Sequence, residues 1–332
     1  MVTVSIIIVS YNTRALLADC LASLPAGVGG LASETFVVDN GSQDGSPQMV
    51  RADFPDVRLI RNARNVGFAA ANNQALRSAN GRYVLLLNSD TRVHPGAIET
   101  MVHFMDAHRE AGYCGPRLLN ADASHQPSAR RFPTLLSTAF TLLSLGHRFP
   151  HSPHTIDLHV MYGQRRPFRA DWLSGACLMV RRAALRHVGP LDEGFFMYFE
   201  ETDWCRTLAK HKWQGWYVPS AQVTHLGGAS VGTTSDDRPF AGANPHYWIQ
   251  SSRRYMRRHH GLHGMIASET IQLALYTLIW LRHRFRSAPE SVLKTRSAAV
   301  ALRLLTGQRP PRPSRAQRKE TEHCPSFEPL KQ

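Results

Sequence analysis

The feature that most constrains this chain is an alternation of apolar run, polar turn and helix-patterned stretch through its first 90 residues. Residues 4–9, Val-Ser-Ile-Ile-Ile-Val, are almost continuously β-branched and suit a strand buried on both faces. Ser10, Tyr11, Asn12 and Thr13 follow as turn and cap, and residues 14–24 carry helical spacing up to Pro25, which is expected to stop the helix. The cycle repeats with a strand over 35–38 and a helix over 46–54, then a strand over 57–60 and a helix over 68–78. A fourth strand over 83–87 ends in Asn88-Ser89-Asp90. Strands separated by helices pair in parallel, so the order predicts an α/β fold with a parallel sheet covered on both faces.

In such sheets ligands bind beyond the carboxyl ends of the strands, which here carry residues 10–13, 39–44 and 88–90. No GxGxxG follows the first strand and no GxxxxGK[ST] occurs, so neither a Rossmann dinucleotide site nor a P-loop is supported. A hard divalent cation beside a diphosphate needs oxygen ligands on a rigid strand end, with positions left open for phosphate oxygens. Strand alternation puts Asn88 and Asp90 on one side, so Asp90 can ligate directly while Asn88 ligates or binds ribose, with Ser89 between them. The same tripeptide also reads as an Asx turn closing a strand. Asp39 can accept the imide N–H of uracil or thymine, and the amides of Asn40 to Ser42 can meet ribose or phosphate; Asn-Gly-Ser is equally ordinary turn chemistry.

Residues 191–204 are the densest signal: Phe195, Phe196, Met197, Tyr198 and Phe199 precede Glu200, Glu201 and Asp203. Adjacent acids at a helix start complement the helix dipole. An apolar wall beside a carboxylate also raises its pKa and makes it a competent base near neutral pH. His225, before Leu226-Gly227-Gly228, is a candidate third metal ligand or a structural histidine.

Taken together these segments resemble family 2 glycosyltransferases of the GT-A fold, most closely their bacterial rhamnosyltransferase-like branch. The resemblance runs from about residue 4 to His225. It is carried by residues 5–12, 37–42, Asn65-Val66-Gly67-Phe68-Ala69, 85–90, Gly175-Ala176 and the run to Arg182, 195–204 and His225, in that order. It implies a GT-A type, mostly parallel sheet flanked by helices and a nucleotide-sugar donor held by Ser10, Tyr11, Asn12, Asp39, Asn40, Ser42, Asn65, Gly67, Asn88 and Ser89. It also implies Mg2+ or Mn2+ on Asp90 and His225 with Asn88, and Glu201 as general base in an inverting displacement. The family metal motif is usually Asp-x-Asp, so Asn88 departs from it, and the base is often Asp, which leaves Glu200 and Asp203 as neighbours to weigh. Gly175 and Ala176 are expected to let the backbone approach the donor sugar, with Trp172 as a wall or as simple strand packing.

Residues 126–170, basic and Pro- and His-containing, read as an insertion in a catalytic domain spanning 1–230, with acceptor or membrane contact as its role. Residues 215–218 read as a last short strand. The formal net charge is +14, and residues 231–332 hold 17 Lys plus Arg against 7 Asp plus Glu, or +10 of it. Residues 231–308 are therefore expected as a basic, helical, membrane-associating region, and 309–332 as a disordered tail. The apolar run 265–281 contains Glu269 and Gln272 and falls short of the roughly 20 residues of a spanning helix. Flanked by arginines, it suits a helix lying on an anionic membrane; a domain-packing or dimerising helix, and hence a homo-oligomer, is the other reading.

Five scattered cysteines without CxxC spacing suit buried thiols in a reducing compartment, and no basic n-region precedes the first strand. The expected setting is cytoplasmic, peripheral on the inner face of a bacterial membrane, with a glycan or polyprenyl-diphosphate-linked acceptor as partner. L-Rhamnose from dTDP-rhamnose is the donor the resemblance favours. A galactofuranosyl- or hexosyltransferase using a UDP-sugar shares the scaffold, and a nucleotidyltransferase is disfavoured by the lack of a Gly-rich Lys/Arg loop. Nucleic acid is not expected as partner, because the charge flanks an apolar helix rather than stacking aromatics.

Overall fold

A computed structural model describes residues 2–158, 161–226, 244–286 and 289–307. The first four strands are β1 (Val4–Ser10), β2 (Ser33–Asp39), β3 (Arg58–Arg61) and β4 (Tyr83–Asn88). They are joined by α1 (Arg14–Val28), α2 (Ser46–Asp53) and α3 (Phe68–Leu76). β1 lies between β2 and β4, parallel to both, with Ile7 level with Phe36 on one side and Leu86 on the other. Alternation divides the apolar side chains between two faces. Ile6, Ile8, Val37, Leu85 and Leu87 join α1 on one, and Ile7, Phe36, Val38, Val84 and Leu86 join α3 on the other. Each such side chain, fully buried, contributes about 1.5–3 kcal/mol.

α1 passes through Pro25 instead of ending there. The missing N–H and ring clash are offset because Leu24 and Val28 are buried in the core beneath the last turn.

The second half adds antiparallel strands, and the sheet as a whole is mostly parallel, as expected of the GT-A type. After β5 (Thr91–Val93) and α4 (Ala97–Ala107) come β6 (Ala111–Leu119), β7 (His125–Gln126) and β8 (Ala129–Arg130). They are followed by α5 (Leu135–Leu142), β9 (Phe168–Arg169), β10 (Trp172–Leu173) and β11 (Cys177–Arg181), then α6 (Arg182–Val188), α7 (Glu200–Lys210) and β12 (Gln214–His225). β11 lies between β4 and β6, antiparallel to both, and β12 is parallel to β6. The chain thus enters β11 at the carboxyl end of β4, which sets Gly175 and Ala176 beside Asn88. β12 is far longer than the short strand expected at 215–218; Pro219 breaks the pattern, and the strand accommodates it in a register shift between Val218 and Gln222.

The segment read as an insertion is tied to the domain: Ala129, Leu158, Tyr162 and Phe168 are buried in the second core, and β8 pairs with β10. Cys20, Cys114, Cys177 and Cys205 are buried thiols, and burial pushes that of Cys20 up to about 12.

The first compact unit ends at Leu275 instead of near residue 230. The reason is α8 (Pro245–His283), broken at Gly261, whose φ of 72° is open to glycine. Before the break, Tyr255 and Met256 pack on Phe195 and Phe199. The second unit, residues 276–332, contains the end of α8 and α9 (Pro289–Leu305), with Ala298, Ala301, Leu304 and Leu305 buried. Gly227 and Gly228, Cys324 and the tail at 309–332 lie outside the described residues.

Candidate active site

The carboxyl ends of β1, β2 and β4 meet through short polar contacts. Ser10 Oγ lies 3.0 Å from Thr13 Oγ1, which donates to Ser89 Oγ at 2.9 Å. Asn12, at φ 52°, donates its backbone N–H to Ser42 Oγ at 2.9 Å and accepts from the Gln43 N–H at 2.8 Å. Ser10, Asn12, Ser42 and Ser89 therefore fasten the loops to one another, while Tyr11 stands 39% exposed at their rim. Asp39 is buried; one carboxylate oxygen accepts the Ser42 N–H at 3.2 Å, and Oδ1 has no partner among the described residues. A buried anionic oxygen without a donor is costly, and at a strand end it is an acceptor for an incoming N–H.

Asn40 has a different place. Its amide donates to Asn65 Oδ1 at 2.9 Å and Gly67 O at 3.3 Å, and its oxygen accepts from Asn62 and the Val66 N–H, both at 3.1 Å. Its hydrogen bonds, like those of Asn65 to it and to the Gly67 N–H, hold the 62–67 loop. Gly67 at φ 90° brings that loop onto the aromatic segment, where a Cβ would come within 2.7 Å of Phe196 O, the acceptor of the Phe68 N–H at 2.8 Å.

At the end of β4, His225 Nε2 lies 3.3 Å from Asp90 Oδ1 and 3.3 Å from Asn88 Nδ2. His225 Nδ1 is 2.7 Å from Gln126 Oε1, and the Gln126 amide donates to Asn120 Oδ1 at 2.9 Å and His225 O at 3.3 Å. Those two donations assign Gln126 Oε1 as an acceptor and hence the ring proton to Nδ1. In the neutral ring Nε2 then offers its electron pair beside the Asp90 carboxylate, as a histidine oriented for a metal does. Asp90, His225 and Asn88 fit the donor set of a hard divalent ion that keeps open positions. Gln126 escaped the sequence reading because a lone glutamine at the edge of an apparent insertion carries no pattern.

Tyr198 and Phe199, both at φ 67°, occupy a region bulky residues rarely adopt and turn the chain directly into α7. Glu200 is buried and Glu201 half-buried, and each has an Oε2 without a partner among the described residues. Burial pushes both carboxyls above the ordinary glutamate range, strongly for Glu200, which also feels the Glu201 charge. The backbone N–H groups of Glu201, Gly175 and Thr202 and the Arg130 guanidinium oppose the rise at Glu201. A Cβ placed on Gly175 would lie 3.7 Å from Glu201 Cγ, so the β10–β11 turn rests against this side chain. Ala176, buried, accepts the Asn88 N–H at 3.0 Å and carries the connection to the metal-ligand candidates.

Asp203 is engaged elsewhere, with His259 Nε2 at 2.7 Å and Arg258 Nε at 3.1 Å from its Oδ1. Trp172 is likewise taken up by packing: its indole N–H donates to Arg131 O at 2.9 Å and the Arg130 guanidinium lies 5.1 Å over its ring. Arg130, unremarkable in the sequence, thus packs over Trp172 while its Nε donates to Asp157 Oδ1 at 2.6 Å.

Residues 5–189 match the family described as Glycosyl transferase family 2. Over 246 residues, covering 68% of this chain and 77% of the relative, the sequence is 34% identical to the N-acetylglucosaminyl-diphospho-decaprenol L-rhamnosyltransferase of Mycobacterium tuberculosis. The chain belongs to glycosyl transferase family 2. Another relative within reach of this family 2 enzyme is the rhamnosyltransferase WbbL of Escherichia coli K12, 27% identical over 203 residues, or 58% of this chain and 70% of WbbL. In fold it is similar to the mannosyltransferase PcManGT from Pyrobaculum calidifontis, solved with GDP-Man and Mn2+. The TM-score there is 0.50 at 17% identity, over 96% of this chain and 83% of the other.

Proposed function

We propose that this family 2 glycosyltransferase moves L-rhamnose from a dTDP-linked donor to a hydroxyl of a lipid-linked glycan, by a single inverting displacement. The observation that carries the reading is the junction at Gly175 and Ala176, which touches Glu201 on one side and Asn88 on the other. It supports reading the half-buried Glu201, whose pKa is raised, and the Asp90–His225 pair as parts of one site. The two rhamnosyltransferase relatives support the sugar, and the name of the mycobacterial one supports a polyprenyl-diphosphate acceptor.

In this account Asp39 Oδ1 accepts the imide N–H of the pyrimidine. Asp90 and His225, with Asn88 alongside, would hold Mg2+ or Mn2+, which would supply positive charge for the departing diphosphate. Glu201 Oε2 takes the acceptor hydroxyl proton as that oxygen bonds to the anomeric carbon, opposite the breaking bond to diphosphate oxygen. Burial and the neighbouring Glu201 charge push the Glu200 carboxyl well above the ordinary glutamate range, which favours its neutral form beside the base. Turnover of dTDP-rhamnose, UDP-galactofuranose, UDP-hexoses and GDP-mannose onto a polyprenyl-diphosphate-linked amino sugar tests the reading. Preference for dTDP-rhamnose is expected, and preference for a UDP-hexose would replace it with the hexosyl alternative.

Membrane association belongs to the same proposal. Among the described residues one helix, α8, is long and apolar enough to cross a membrane by length and composition. Its break at Gly261, the acidic Glu269 inside the apolar stretch, and the arginines at 257 and 282 on either side of that stretch favour lying along an anionic surface instead. Leu262 and Ile266, one turn apart, are 54% and 50% exposed. Replacing both by Glu is expected to reduce pelleting with phosphatidylglycerol vesicles roughly tenfold or more. Unchanged pelleting would remove this surface from the account.

A further inference from the structure

The aromatic segment that delivers Glu201 is gripped from behind by α8 before its break. Arg258 reaches two carboxylates at once, Asp192 Oδ2 from Nη1 at 2.7 Å and Asp203 Oδ1 from Nε at 3.1 Å. These acids stand at the two ends of the stretch that contains the left-handed Tyr198 and Phe199 and the catalytic candidates. Lys210 Nζ, 3.0 Å from His259 Nδ1, makes that ring nitrogen the acceptor, so His259 Nε2 carries the proton it gives Asp203 at 2.7 Å. Between the two anchors, Ser251 Oγ donates to Met197 O at 2.8 Å, and Phe199 lies against Trp248 and Tyr255 with ring centres 5.6 and 5.4 Å away.

We propose that Arg258, supported by His259, is a positioning residue for the general base; the inference rests on the assignment of Glu201 to that role. Two consecutive left-handed non-glycine residues persist only where their surroundings over-determine them. The planar guanidinium can serve carboxylates on both sides of such a turn, which an ammonium cannot do with the same fixed geometry. Asp203 lies in the first turn of α7, so holding it sets the rotation of that turn and the direction of Glu201. The remainder of α7 is anchored independently by the buried Trp204, Cys205 and Leu208, with Trp204 Nε1 donating to Gly189 O at 3.0 Å. Loss of Arg258 therefore loosens the base more than the fold.

The test uses the full chain with Arg258→Ala, Arg258→Lys, Asp203→Asn and the Arg258→Ala/Asp203→Asn double variant, assayed well below each Tm beside Glu201→Gln. Arg258→Ala is expected to lower kcat roughly 10- to 100-fold, the size of effect a misplaced group produces, while donor KM stays within about threefold. Arg258→Lys restores part of the loss, and Asp203→Asn costs little more once Arg258 is gone. Unchanged kcat in Arg258→Ala with only a lower Tm would overturn the proposal. So would kcat, KM and Tm failing in parallel in both Arg258→Lys and Asp203→Asn, or abolition of turnover by Asp203→Asn while Arg258→Ala is fully active. Normal turnover in Glu201→Gln would instead remove the base assignment on which the inference rests, whereas an inactive Glu201→Gln beside a fully active Arg258→Ala would remove the clamp alone.

Discussion

Glu201→Gln is expected to lower kcat by about 10²- to 10⁴-fold, the contribution of a positioned general base, with donor affinity unchanged. The amide keeps the shape and the contact with Gly175 but has no electron pair of carboxylate basicity to receive a proton. Only the ionised carboxyl is a base, so kcat/KM falls as pH drops through its folded-state pKa, which burial raises above the ordinary glutamate range. The acid limb of the profile should accordingly lie above that range and vanish in the variant. Stability runs in the opposite sense. An acid whose pKa is raised by folding contributes stability that is fully present below its unfolded pKa and is lost as pH rises through the folded value. At neutral pH Glu201→Gln should therefore melt no lower than the parent, and Glu200→Gln, which removes the more strongly raised carboxyl, should melt higher. Activity and melting temperature measured together on one preparation read both signs.

Asp90→Ala is expected to abolish turnover and Mn2+ binding together. Loss of a partner that merely orients a ligand costs roughly 10- to 100-fold in metal affinity, and loss of the charged ligand should exceed that. The imidazole of His225 would remain held by Gln126, so the defect should appear as loss of ion binding without loss of fold. Mn2+ titration followed by electron paramagnetic resonance checks it. Parent-like Mn2+ affinity in the variant would place the ion elsewhere or remove it from the account.

The first half of the fold was legible because β1, β4 and the second half of β2 are buried on both faces and advertise themselves as apolar runs, each ending in a polar cluster that the packing cannot explain. The apolar pattern over 171–180 marks β11 as a strand, but its antiparallel direction was not legible, since direction is set by the turn at Ser174 to Ala176 and leaves no trace in that pattern. β12 was hidden by Pro219, which reads as a stop and is absorbed by an irregular register. Within the site, Asp39, Asp90 and Glu201 showed in the sequence because charge at a strand end or behind a wall of aromatics is locally anomalous. Gln126, Arg130 and Arg258 did not, because each acts on a partner far away in the chain. Asn40 and Trp172 illustrate the converse: residues chosen for their position have side chains occupied by neighbouring backbone and side-chain groups.

The most direct test of the central claim is the configuration of the new glycosidic bond, read by proton NMR on product formed from dTDP-rhamnose and a polyprenyl-diphosphate-linked acceptor. One base at Glu201 and one displacement require the anomeric configuration of the product to be opposite to that of the donor. A product that retains the donor configuration would contradict the account.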